Sequence, residues 1–177
     1  YSKNKGLVGK TLRQHFNIGL NEKSLVAWFR SGLFALCIPE IEKIRGHVQH
    51  DQYHRYTVDA HLLQTLREIL RFYKKPSILG PLAFLAKNFK RKDWDILLWT
   101  GLYHDLAKAR GGNHSIKGAK LVIKDFTKLN HSLRTTVEVA WLVENHLILS
   151  TAAFRRNPQS PDTWKDLHKK GVKGKRL

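Results

Sequence analysis

The sequence contains no methionine, one cysteine and only 14 acidic residues against 32 Lys and Arg. Each scarcity removes a class of protein. A lone thiol, Cys37 in the apolar run LFALCI, cannot build a disulfide framework within the chain, so a stapled secreted domain is excluded and a buried, inert thiol in a reducing cytoplasm is expected. No apolar run approaches the ~18 residues needed to span a bilayer, and no N-terminal stretch reads as a signal peptide. A membrane partner is not expected. Apolar residues are not scarce: they make up 42% of 177 residues, enough to fill one domain core and too many for charge-driven disorder. The first residue, Tyr1, and a tail, WKDLHKKGVKGKRL, that stops in mid-pattern predict an excised or truncated piece.

The missing acids leave a formal net charge of +18, which attracts nucleic acid, phosphorylated metabolites and acidic proteins without choosing among them. The excess gathers in Lys87, Lys90, Arg91 and Lys92 and in the tail from Lys165 onward. Solvated surface is the ordinary explanation of such runs. No zinc-finger spacing and no aromatic RNA-binding signature accompanies them, so nucleic acid is the weaker reading of the charge.

Apolar residues recur three or four apart throughout, which predicts an all-α fold of six or more helices. Asn21 is placed to cap a helix through Leu25, Trp28 and Phe29 that ends near Gly32, and Pro39 opens a short helical turn. Val58, Leu62, Leu66, Ile69 and Tyr73 form one stripe of a helix over residues 57–73, closed by Pro76, Gly80 and Pro81. Asp93 starts a helix predicted to run past His104 and Asp105 to Ala109, where Gly111-Gly112 breaks it. Further helices are expected over 115–128 and 133–149, the second burying Val137, Ala140, Trp141 and Ile148.

Ten histidines are present. His15, His47, His131 and His168 lie in polar stretches with no special expectation. The others to note are His61, on the inner stripe of its helix, and His104-Asp105, after the apolar ILLWTGLY, where burying an unpartnered ionisable pair costs several kcal/mol. A divalent metal offsets that cost, since imidazole and carboxylate are its ordinary ligands and an Asp can bridge two ions. His114, after the Gly111-Gly112 turn, and His146, on the inner side of the last long predicted helix, complete the set.

Three longer motifs share this order. QHDQYHRYTVDAH (49–61), HDLAKARGGNHSIKGA (104–119) and WLVENHLILSTAAFRR (141–156) resemble Q-H-D-x-x-H-x-Y-T-V-D-x-H, H-D-x-A-K-G-R-G-G-D-H-S-x-x-G-A and W-L-V-x-H-H-L-x-M-S-x-x-A-x-R-R. These belong to the HD superfamily of metal-dependent phosphohydrolases, and within it to the HD domains of bifunctional PII uridylyltransferase/uridylyl-removing enzymes. The resemblance implies an HD-domain helical bundle over 24–162, between a basic N-terminal flank (1–23) and a truncated basic C-terminal segment (163–177). It implies metal ligation by His61, His104, Asp105, His114 and His146, with Asp105 and Lys108 catalytic. Lys108, Arg155 and Arg156 would hold substrate phosphate, although a salt bridge from Lys108 to Asp105 and plain surface placement of the arginines are the competing readings. Asp51 and His54 would line the cleft, with capping or core hydrogen bonds as the alternative.

The implied activity is phosphodiester hydrolysis releasing UMP from uridylylated PII signal protein, with Mn²⁺ or Mg²⁺ as cofactor and Zn²⁺ or Fe as further options. The resemblance does not extend to the transferase part of such enzymes, whose Gly-Ser signature these residues lack. Asn145, Asn157 and Ser160 stand where the family pattern has His, Asp and Asp. A metal-depleted binding or regulatory module, or an HD phosphohydrolase of another nucleotide, is therefore the alternative.

Overall fold

The computed structural model describes residues 2–48 and 56–174, with side chains from Gly6 onward. Asp51 and His54, expected in the cleft, lie outside the described residues. All elements are helical among the described residues: α1 (Ser2–His15), α2 (Glu22–Arg30), α3 (Leu33–Cys37), α4 (Glu40–Ile44), α5 (Val58–Lys74), α6 (Ala83–Ala86), α7 (Arg91–Tyr103), α8 (His114–Lys128), α9 (Leu133–Glu144), α10 (Ile148–Arg155) and α11 (Pro161–Lys169). Short 3₁₀ helices occupy Pro76–Leu82 and Lys108–Arg110. None is long and apolar enough to cross a membrane.

The chain forms two compact units, Tyr1–Glu144 and Asn145–Leu177. In the first, α8 packs on α9, and α7 packs on both α5 and α9. Val58, Leu62, Leu66 and Ile69 of α5 are buried as their stripe predicts. The segment read above as a basic N-terminal flank carries α1 and contributes Leu12, Phe16, Ile18 and Leu20 to the core. Trp99 centres an aromatic group, with Phe16 at 4.6 Å and Phe126 at 5.2 Å between ring centroids. Cys37 is partly rather than fully buried, and its burial still pushes the thiol pKa up, away from the reactive thiolate.

Two glycines let the helices close. At Gly101 on α7 a β-carbon would stand 2.7 Å from Ile69 Cδ1 of α5, so a larger residue there would make the Ile69 side chain shift. At Gly118 on α8 it would meet Val143 Cγ1 at 2.9 Å and the Tyr103 carbonyl at 3.3 Å. Asn21 caps α2 as expected, accepting from Ser24 N–H at 2.8 Å. The start of α5 is fixed by Val58 N–H donating to the His47 carbonyl at 2.9 Å.

Two boundaries differ from expectation. The helix predicted to continue to Ala109 stops at Tyr103, because the backbone changes from i−4 to i−3 bonding: Leu106 donates to Tyr103, Lys108 to Asp105 and Arg110 to Ala107. The helix predicted over 133–149 ends at Glu144, a turn follows, and α10 begins at Ile148. Val137, expected on its buried face, is 54% exposed, while Thr136, Val139, Ala140 and Val143 are buried.

In the second unit, Thr163 Oγ1 donates to the Asn157 carbonyl at 2.9 Å and Trp164 Nε1 to that of Pro158 at 2.7 Å, tying the turn before α11 to its first residues.

Candidate metal centre

Asp105 stands at the middle of the site. The i−3 bonding after Tyr103 leaves Asp105 and Lys108, three residues apart, side by side. Lys108 Nζ accordingly lies 2.8 Å from Asp105 Oδ2, and the two side chains are only 8% and 5% exposed. His104 Nε2 lies 3.2 Å and His61 Nε2 3.3 Å from that same oxygen, and the two imidazole nitrogens are 3.1 Å apart. His114 Nε2 lies 3.5 Å from the other oxygen, Oδ1. The carboxylate therefore faces two imidazoles through one oxygen and a third through the other.

The His104 ring is oriented by the chain behind it: its Nδ1 lies 2.8 Å from the Gly101 carbonyl oxygen, which only accepts, so Nδ1 is the donor there and Nε2 is the nitrogen turned to the carboxylate. That nitrogen faces the Asp105 carboxylate oxygen on which the Lys108 ammonium already sits, and a metal ion would bind His61 Nε2, His104 Nε2 and Asp105 Oδ2 together. The donor set fits such an ion: His61, His104 and Asp105 each offer one ligand atom, all within 4.8 Å of one another. The separations of 3.1 to 3.3 Å match those of ligands at about 2.1 Å from a shared centre, ~3.0 Å for octahedral and ~3.4 Å for tetrahedral edges. The Gly101 carbonyl behind His104 is the outer partner that fixes a ligating imidazole.

Other expectations fare differently. His61 belongs to the site but is not on the buried stripe: its side chain is 41% exposed, at the open side of the centre. His146 is not helical; it lies in the turn between α9 and α10, the second residue of the second unit. Arg155 is exposed at the end of α10, and Arg156 Nη1 donates to Asp166 Oδ2 at 2.6 Å. Both arginines are therefore at the surface, and Arg156 holds the Asp166 carboxyl below its usual range. Lys108 is engaged in the salt bridge that was its alternative role.

Residues that the sequence did not single out surround this centre. Arg110 forks onto the buried Glu40 of α4, with Nε 2.6 Å from Oε1 and Nη2 on Oε2. Lys117 of α8 donates to the carbonyls of Arg110 at 2.8 Å and Gly111 at 3.2 Å. The Arg110 guanidinium holds the Glu40 carboxyl below the ordinary range despite burial. Behind the site Tyr103 donates to Asp125 Oδ2 at 3.3 Å, and burial raises the pKa of both. Arg110 stood inside the quoted motif, but nothing local names a partner 70 positions away.

Residues 58–173 match the family model of the HD domain. The chain belongs to the HD-domain family. This is a superfamily of metal-dependent phosphohydrolases. The HD chain is 37% identical over 148 residues to the bifunctional uridylyltransferase/uridylyl-removing enzyme of Acinetobacter baumannii (strain ACICU), covering 83% of this chain and 17% of that protein. It is 39% identical over 140 residues to the enzyme of the same description from Stutzerimonas stutzeri (strain A1501), covering 77% and 15%. For that of Pseudomonas aeruginosa (strain LESB58) the identity is 39% over 135 residues, covering 75% and 15%. The chain thus spans about a sixth of the length of these relatives.

Proposed function

We propose that this HD domain hydrolyses a phosphodiester with a divalent metal, and that its substrate is uridylylated PII signal protein, from which it releases UMP. The observation that carries the chemistry is the convergence of His61 Nε2 and His104 Nε2 on Asp105 Oδ2. The substrate rests on the relatives' uridylyl-removing description and on the resemblance of the three motifs over 24–162.

In this reading His61, His104 and Asp105 would hold the metal, with His114 beside the second carboxylate oxygen. His146 is a further ligand on the strength of its motif alone. Mn²⁺ or Mg²⁺ suits a mixed imidazole and carboxylate set. A divalent cation held there would supply Lewis-acid chemistry, lowering the pKa of water and polarising a phosphoryl oxygen. The Gly101 carbonyl accepts from His104 Nδ1 and keeps Nε2 turned inward. Lys108 brings an ammonium to the negative charge that develops on the phosphoryl oxygens, and Arg155 and Arg156 are phosphate-binding candidates on the strength of their motif alone. Hydrolysis breaks the bond from phosphorus to the tyrosyl oxygen of PII, and water supplies the new oxygen of UMP.

The test is UMP release from uridylylated PII by the wild-type chain, His104→Ala and Asp105→Ala, with and without EDTA. Loss of release in both variants and in EDTA is expected; equal rates would sink the mechanism. A panel of cyclic nucleotides, guanosine polyphosphates and RNA ends separates the PII reading from hydrolysis of another phosphoester. The metal-depleted binding module, suggested by Asn145, Asn157 and Ser160, requires that Mn²⁺ leave the melting temperature unchanged.

A further inference from the structure

We propose that Glu40 and Arg110 are a positioning pair: by pinning the turn between Lys108 and His114, they set how tightly the Asp105 centre holds its metal.

The turn has little rigidity of its own. Gly111 adopts φ 69° and Asn113 φ 57°, with Gly112 between them, so three successive residues have ready access to alternative backbone conformations. Yet both ends carry the site, Asp105 and Lys108 before it and His114 after it. The 3.5 Å between Asp105 Oδ1 and His114 Nε2 therefore depends on the course of this turn. Two side chains fix that course. The guanidinium of Arg110 meets both oxygens of Glu40, whose side chain is 6% exposed and which Lys43 also approaches at 3.4 Å. From the other side Lys117 Nζ donates to two carbonyls of the turn. A planar fork on a buried carboxylate constrains direction as well as distance, which a single ammonium contact does not. Glu40 comes from α4, so a residue in no contact with a ligand atom anchors the turn to the body of the first unit.

The inference rests on the metal reading of the site. Its test combines Mn²⁺ binding by calorimetry with amide hydrogen exchange over residues 108–114 of the metal-free chain, for wild type, Glu40→Gln and Arg110→Lys. Leu12→Ala, in the core under α1, is the control that loses stability without touching the turn. Roughly 10-fold weaker Mn²⁺ binding, the low end of what loss of a group bonded directly to a ligand costs, and faster exchange of the turn amides are expected in both pair variants. Leu12→Ala is expected to melt earlier with unchanged affinity. Pair variants that bind Mn²⁺ as wild type does, or a control that loses affinity equally, would overturn the role of the pair alone. A wild-type chain that takes up no Mn²⁺ would overturn the metal reading, and the affinity claim with it.

Discussion

Lys108 Nζ and Asp105 Oδ2 form a salt bridge of 2.8 Å with less than a tenth of either side chain open to solvent. Truncating one partner leaves the other charge buried, which is costlier than removing both. Asp105→Asn should therefore destabilise the metal-free chain by about 3 kcal/mol, and adding Lys108→Met should recover most of that loss. Urea unfolding in EDTA measures both. A double variant no more stable than Asp105→Asn would show that the pair is not coupled.

The same contact makes Lys108 a competitor for the metal. Its ammonium occupies the oxygen that His61 and His104 also face, so a cation entering there must share or displace it. Lys108→Met should raise Mn²⁺ affinity by roughly fivefold, equivalent to about 1 kcal/mol of partly screened charge repulsion. Turnover should fall about 100-fold, because the charge offered to the phosphoryl group is gone. Affinity and rate moving in the same direction would refute this double role.

Much of this was written in local sequence. The α5 stripe, the Asn21 cap and the Gly111-Gly112 break are all short-range signals, and the structure has each of them. The end of α7 is not such a signal. ILLWTGLYHDLA keeps its apolar recurrence past Tyr103 with no Pro and no closing Gly, while the backbone has already tightened to i−3 bonds. The motif named His104, Asp105 and Lys108 and allowed for the Lys108–Asp105 salt bridge, but assigned all three to one α-helix, whereas the backbone after Tyr103 is wound more tightly. Glu144-Asn145 likewise ends α9 without a breaker residue. The Glu40–Arg110 fork was illegible for a different reason: its partners are set by the packing of α4, not by either neighbourhood.

Gly118 tests how closely the scaffold constrains the centre. A methyl group there would press on Val143 and on the carbonyl of Tyr103, the residue immediately before His104. Gly118→Ala should cost on the order of 1–3 kcal/mol, as overpacking does. It should also weaken Mn²⁺ binding, since relief requires moving the Tyr103 carbonyl. Val143→Ala in the same chain should restore stability by removing the 2.9 Å contact. Thermal melts with and without Mn²⁺ follow both effects, and a Gly118→Ala chain with wild-type melting would contradict the close approach.

His131 gives the first unit an acid limit that is independent of the metal. Its ring stacks on Phe126 at 4.1 Å and meets Trp99 edge-on at 4.9 Å, and its buried Nε2 makes no hydrogen bond. Burial, aided by the positive charge of Arg13, lowers its pKa to about 4. Between that value and the ordinary ~6.5 the unfolded chain binds the proton and the native chain does not. The stability contributed by the neutral ring is therefore complete above pH ~6.5 and is lost as the pH falls toward ~4. Because the ring is partly open to water, the loss should be on the order of 1–2 kcal/mol rather than the full value of the shift. His131→Phe should flatten the slope of unfolding free energy against pH in this window. Urea titrations in EDTA at half-unit steps measure it, and a variant with the wild-type slope would assign the acid sensitivity to other groups.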